Sequence, residues 1–165
     1  MELYCADRTH DVHGPGPFRL SNGDAGVLDQ DIATAARAAR CVLLTGPSVQ
    51  ALAVGRRIHE ESGRRDSPFT VVECGTRSSE ITDRVVEALG GGTLYLQDVG
   101  RMPLEVQRAV ARLLAEPGRG RIMASTAEPL LSRVLDGEFD DCLYYRLNVI
   151  HVVIPDGHSP RIRTD

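Results

Sequence analysis

From residue 41 onward, short runs of consecutive apolar residues alternate with longer stretches in which apolar residues recur every three or four positions. The short runs are Cys41-Val42-Leu43-Leu44-Thr45, Phe69-Thr70-Val71-Val72, Thr93-Leu94-Tyr95-Leu96, Arg121-Ile122-Met123-Ala124-Ser125 and residues 149–154, closed by Pro155. Each has the length of a strand and lacks the in–out alternation of a half-exposed one. They therefore predict strands covered on both faces, as in a parallel sheet. The stretches between them predict helices over 50–62, 79–89, 103–115, 128–136 and 139–146, and the alanine-rich 27–40 predicts one more. Ser78 or Ser79 is placed to cap the helix at 79. Pro103 suits a first helical turn, where its missing N–H is not needed. Strands separated by helices predict an α/β three-layer sandwich. Its sheet is five-stranded and mostly parallel, with right-handed crossovers and helices on both faces. Ligands of such sheets bind at the carboxyl ends of the strands. The loops after Thr45, Glu73, Leu96 and Ser125 are therefore where chemistry is expected.

The flanks carry no such pattern. Residues 1–26 are rich in Gly, Pro, Asp and His and predict an irregular lead-in, with Phe18 and Leu20 its candidate packing residues. Residues 156–165 read as a polar tail. The domain proper is 27–155, and a chain of 165 residues fits one domain. Its net charge of −4 argues against direct nucleic-acid binding, which favours a basic surplus. All 19 basic residues are arginine. A chain without lysine cannot contain an intact Walker A loop, whose lysine reaches the β- and γ-phosphates. Cys5, Cys41, Cys74 and Cys142 form no C-x-x-C pair, which predicts reduced thiols in a cytoplasmic protein. No apolar run reaches the roughly 18 residues of a membrane span. Cys5, His10 and His13 match no common zinc spacing and read as part of a polar lead-in.

Two strand-end loops carry candidate chemistry. After the first strand comes Thr45-Gly46-Pro47-Ser48-Val49-Gln50-Ala51. A phosphate loop needs glycines to turn backbone N–H groups inward, a lysine, and a hydroxyl for Mg²⁺. Of these only Gly46 and Ser48 remain, at a helix N-terminus that can still attract an anion; a plain connection fits the same residues. After the third strand comes Gln97-Asp98. An apolar strand ending in two acids is the arrangement by which P-loop ATPases hold Mg²⁺ and activate water. Gln97 is a poor Mg²⁺ ligand, and Asp98 can equally cap the turn that follows. Two further features read as solvated surface: His59 beside Glu60 and Glu61, and Arg56, Arg57, Arg64 and Arg65 near that helix's end.

Gly91-Gly92-Thr93-Leu94-Tyr95-Leu96-Gln97-Asp98-Val99-Gly100 is similar to the pattern G-G-T-L-F-L-D-E-I-G, and Phe139 to Val149 (FDDCLYYRLNV) to F-R-E-D-L-Y-Y-R-L-N-V. Val42 to His59, Pro68 to Cys74, Pro103 to Glu116 and Arg121 to Thr126 agree in order. On these stretches the chain resembles the ATPase domain of sigma-54-dependent transcription activators, which are AAA+ P-loop proteins. The resemblance places Ala51 at the Walker A lysine, Gln97 at the Mg²⁺-holding aspartate, Asp98 at the water-activating glutamate and Ala127 at the sensor asparagine. Asp140 stands where the family has its first interface arginine, and Arg146 retains the second. The segment between Cys74 and Gly90 is shorter than the family's, with no place for its sigma-contact loop, and the helical lid is expected to be absent.

The resemblance therefore implies a P-loop NTPase (AAA+)-like fold whose phosphate, metal and water residues are lost: a pseudo-ATPase with no catalytic residues, no metal and no required cofactor. The expected function is a transcription-related interaction module. Its partner would be a protein, either an intact sigma-54 activator or further copies of itself, with Arg146 at the interface. Two alternatives stay open. One is an ATP-binding sigma-54-dependent regulator. The other senses a nucleotide or other anion, weakly bound near Gly46, Ser48 and Asp98, without hydrolysis.

Overall fold

The computed structural model describes residues 18–20, 25–37, 41–76, 80–118 and 120–155. In chain order the elements are β1 (Phe18–Leu20), α1 (Ala25–Arg37), β2 (Cys41–Thr45), α2 (Ser48–Glu60), β3 (Phe69–Glu73), α3 (Ile81–Leu89) and β4 (Thr93–Gln97). A 3-10 turn over Val99–Arg101 follows, then α4 (Leu104–Ala115), β5 (Arg121–Thr126), α5 (Leu131–Leu135), α6 (Asp141–Leu147) and β6 (Ile150–Val153). The strands lie in the order β1-β6-β2-β5-β4-β3, and every pairing is parallel.

The five expected strands are all present, and their apolar runs explain the layering. Alternate residues of one strand face opposite cores. Val42, Leu44, Tyr95, Met123 and Val152 pack with α1 and α2, through Leu28, Ile32, Ala51 and Ile58. Leu43, Leu94, Leu96, Ile122 and Ala124 pack with α3, α4 and α6, through Val85, Val110, Leu114 and Leu147. Each buried aliphatic side chain contributes about 1.5–3 kcal/mol, so the central strands bind both helical layers.

The lead-in needs correction. Phe18–Leu20 forms a sixth strand, with Phe18 opposite Ile150 and Leu20 opposite Val152, and α1 already begins at Ala25. The exposed edge of β6 supplies backbone donors and acceptors that three extended residues can satisfy. Residues 1–17 with Cys5, His10 and His13, the caps expected at Ser78 or Ser79, and the tail 156–165 lie outside the described residues. Cysteine use also departs from expectation. Cys41 and Cys74 are buried thiols outside any disulfide, whereas Cys142 is disulfide-bonded.

At the amino end of the sheet, buried polar groups tie layers together. His59, expected on a solvated face, is buried on the last turn of α2. Its Nδ1 shares a 2.9 Å hydrogen bond with Thr93 Oγ1, and its ring lies 5.2 Å from that of Phe69. Burial holds its pKa below the ordinary value. Arg121 is fully buried and donates to Ala36 O at 3.1 Å. Burial, with the charge of Arg64, pulls its guanidinium down to about 10. The basic cluster on α2 is also engaged: Arg57 pairs with Asp29 and Glu61, and Arg56 sits 5.0 Å over the Phe69 ring. No described helix is long and apolar enough to cross a membrane.

Candidate functional site

The chain leaves β2, moves to the far edge at β3, returns through β4 and β5, and crosses over to β6 on the other side of β2. That reversal of direction opens a crevice at the carboxyl ends of the strands. Gly46 turns the chain out of β2. Its φ is +154°, and a Cβ there would lie 2.8 Å from Ile154 Cβ. Its N–H donates to Thr126 O at 3.0 Å. Backbone from three neighbouring strand ends thus confines this turn.

Pro47 precedes α2 with no side-chain cap, and Ala51 N–H closes the first helical bond to Pro47 O at 2.9 Å. Ser48, Gly46 and Gln97 come together here. Gln97 Nε2 donates to Ser48 Oγ at 3.0 Å, across from the end of β4 to the first turn of α2. Ala51 has 0% exposure and belongs to the core under α1 and α2. The residue that the resemblance sets against the Walker A lysine is therefore packed inside the protein.

Asp98 stands apart from that pair. Its backbone is left-handed, at φ 54° and ψ 54°. Aspartate tolerates this conformation better than most residues, and Asp98 N–H donates to Ser125 Oγ at 3.3 Å. Its carboxylate makes no capping bond to the following 3-10 turn, so the capping reading does not hold. Asp98 instead lines a cleft of about 270 Å³ with Gly100, Arg101, Thr126, Ala127, Glu128 and Arg133, so the positions set against the water-activating glutamate and the sensor asparagine share it. Neither Gly46 nor Ser48 lines it. Arg133 donates to Gly100 O and to Glu138, which fixes α5 against the turn after β4. Cys74, nearby, is pushed up to about 12 by burial first and by the charge of Asp98 second. Burial, with a smaller contribution from Asp98, also raises Tyr95. Both stay neutral at physiological pH, so Cys74 offers no thiolate nucleophile.

Arg146 lies on the last turn of α6, half-buried and outside the cleft. Tyr145 and Val149 flank it, with 66% and 50% of their surface exposed. At the head of the same helix, Asp140 has a structural task. It accepts from Leu143 N–H at 2.9 Å as the α6 N-cap, and its own N–H donates to Gln107 Oε1 at 2.7 Å. A cap is legible in F-D-D-C-L, an aspartate ahead of an apolar periodic run. The Gln97–Ser48 bond and the Arg101–Arg133 cleft have no such local signal. Asp140, Asp141 and Cys142 gather within 4.8 Å. The sulfur is in a disulfide, and each carboxylate already accepts a backbone N–H.

Residues 25–156 match the family model of the sigma-54 interaction domain. The chain belongs to this family. This sigma-54 interaction domain is 32% identical over 128 residues to the sigma54-dependent transcriptional activator SfnR of Pseudomonas putida, covering 59% of this chain and 35% of SfnR. It is 30% identical over 189 residues to the C4-dicarboxylate transport transcriptional regulatory protein DctD of Pseudomonas aeruginosa, covering 94% of this chain and 40% of DctD. The chain thus spans well under half the length of these relatives. Among solved structures, NtrX of Brucella abortus in complex with ATP superposes with a TM-score of 0.70 and 30% identity, over 79% of this chain and 35% of NtrX. The P-loop NTPase domain of an Escherichia coli sigma-54 activator has a TM-score of 0.64 at 19% identity, over 78% of this chain and 93% of that one. At that identity the likeness speaks for the fold, which is the expected P-loop one.

Proposed function

We propose that this domain is a non-catalytic member of its family, acting in sigma-54-type transcription control through protein contact rather than ATP hydrolysis. The observation that carries this reading is the Gln97–Ser48 hydrogen bond, which joins the strand end and the helix N-terminus where Mg²⁺ and phosphate would be held. Ala51, fully buried at the lysine position, supports it. So does Asp140, which caps its own helix where the family directs an arginine at a neighbour. An arginine finger alone contributes about 10³–10⁵ in rate, and on the resemblance the first of the family's two interface arginines is replaced here by Asp140 and is lost together with the lysine and the metal-holding acid; Arg146 keeps the second. The contact surface on this reading is α6, where Arg146 lies between exposed Tyr145 and Val149. Its partner is an intact activator or another copy of the chain, and no cofactor is required.

One observation favours a second reading. The NtrX neighbour was solved with ATP, so this domain could hold the nucleotide as a regulator does. A phosphate-release assay with Mg-ATP, run alone and with an intact sigma-54 activator, separates the two. The first reading predicts no turnover by the chain itself and a changed rate in the activator mixture. Turnover by the chain alone would overturn it.

A further inference from the structure

The two edges of the sheet are protected unequally. An edge strand offers unpaired backbone groups to any extended chain, and proteins blunt such edges with shortness, bulges, proline or basic residues. One edge here is β1, only three residues long. The other is β3, which bonds to β4 alone and runs without a bulge from Phe69 opposite Thr93 to Glu73 opposite Gln97. It contains no proline and no basic residue, and only Val72 of its five residues is fully buried. In a parallel pair, alternate residues bond to the neighbouring strand. Thr93 N–H donates to Pro68 O at 2.8 Å and Cys74 N–H to Gln97 O at 3.0 Å. In that register Thr70 and Val72 turn their N–H and C=O groups toward β4, while Phe69, Val71 and Glu73 turn theirs outward. Among the described residues, Glu73 O alone of these outward groups has a partner, the Thr76 N–H at 3.4 Å, and a carbonyl oxygen can accept a second bond.

The spacing of the outward groups selects the occupant. Lay a second β3 antiparallel, with Val71 facing Val71 on a two-fold axis, and Phe69 of each copy faces Glu73 of the other. All three outward residues then meet as pairs that exchange both N–H···O bonds. A slip of two residues in either direction leaves one outward residue of each copy unmatched. The side chains favour the same register. Val71 meets Val71, and Thr70 meets Val72, β-branched pairs that support strand association. Phe69, Val71 and Glu73 share the α2 face of the sheet, where Arg56 sits 5.0 Å over the Phe69 ring. Glu73 of the second copy therefore arrives beside Arg56, once at each end of the pairing. Within one chain Glu73 lies four residues beyond Phe69, about 13 Å along the strand, too far to make that contact itself. We propose that two copies of this chain associate through β3, antiparallel about Val71, to form one continuous sheet across a two-fold axis. The surface is separate from α6, which packs on β2 and β5. It depends neither on the loss of ATP chemistry nor on contact through Arg146.

Sedimentation equilibrium of the chain, from micromolar to millimolar concentration, should show monomers in exchange with dimers. Arg56→Glu and Glu73→Arg should each weaken the dimer by roughly tenfold or more, because each sets like charges together at both ends of the pairing. An equimolar mixture of the two variants should associate as the parent does, since every contact across the axis again joins opposite charges. Amide hydrogen exchange at dimer-forming concentration should slow at Phe69, Val71 and Glu73 and stay unchanged at Thr70 and Val72, which already bond to β4. A chain that remains monomeric at millimolar concentration overturns the proposal, as does a mixture that associates no better than the separate variants. A dimer whose Phe69, Val71 and Glu73 amides exchange as in dilute solution also overturns it, and leaves self-contact through α6 standing. Slowing of those amides only on addition of an intact sigma-54 activator would give the edge to that partner and overturn the pairing of two copies.

Discussion

The two ends of the sheet spend their polar groups differently. At the amino ends of the strands, His59, Thr93 and Arg121 are buried and bonded between layers. At the carboxyl ends, Gln97 and Ser48 bond to each other, while Asp98, Arg101 and Glu128 face a cleft without ion-pair partners among the described residues. A buried polar group left without a partner costs about 1–3 kcal/mol, so the amino end tolerates little change. The carboxyl end is partly solvated and can lose a lysine or a carboxylate without unfolding. On the proposed non-catalytic reading, that difference would let the scaffold be retained while site residues change.

Four substitutions test the contrast, beginning with the largest effect. Ala51→Lys forces a longer, charged side chain into a fully buried position. It should cost about 3–5 kcal/mol in urea unfolding, as for an uncompensated buried charge. A stable variant that gained ATP binding would show the α2 N-terminus to be open after all.

His59→Ala comes next. It leaves a cavity beside Phe69 and orphans Thr93, for about 2–3 kcal/mol. The pH dependence follows in sign. The folded pKa of His59 is lowered from 6.5, so the folded state favours the neutral ring. Its contribution is complete above pH 6.5 and is lost as pH falls from there through the lowered folded value. Chemical unfolding between pH 5 and 8 should show the wild type weakening on the acid side, with a flatter profile for the alanine variant.

Smaller effects belong to the repurposed family positions. Asp140→Ala removes the α6 cap and should cost about 1 kcal/mol by thermal unfolding. Gln97→Ala removes a half-buried side-chain bond and should cost about 0.5–1.5 kcal/mol. If Gln97→Ala proved more damaging than His59→Ala, the ranking of the two ends would be reversed.

Most of the architecture was legible because parallel strands buried on both faces leave continuous apolar runs, as at Cys41–Thr45 and Thr93–Gln97. β1 was not, because three residues in a Gly- and Pro-rich stretch carry no periodicity, and their pairing depends on an edge formed far along the chain. His59 was misread for a similar reason. Its neighbours Glu60 and Glu61 are exposed, but helical geometry turns His59 toward the start of β4. At the site, residue types marked Gly46, Ser48, Gln97 and Asp98 as worth attention. What they touch was not legible, since Gln97–Ser48 and Gly46–Thr126 join residues far apart in sequence. The Cys142 disulfide was missed because residue spacing alone does not reveal pairing.

The most direct test of the central claim is isothermal titration calorimetry of this chain with Mg-ATP. A strand end bonded to Ser48 and a buried Ala51 predict no saturable heat at micromolar protein and ligand. A micromolar dissociation constant, with phosphate released on the same sample, would contradict the account.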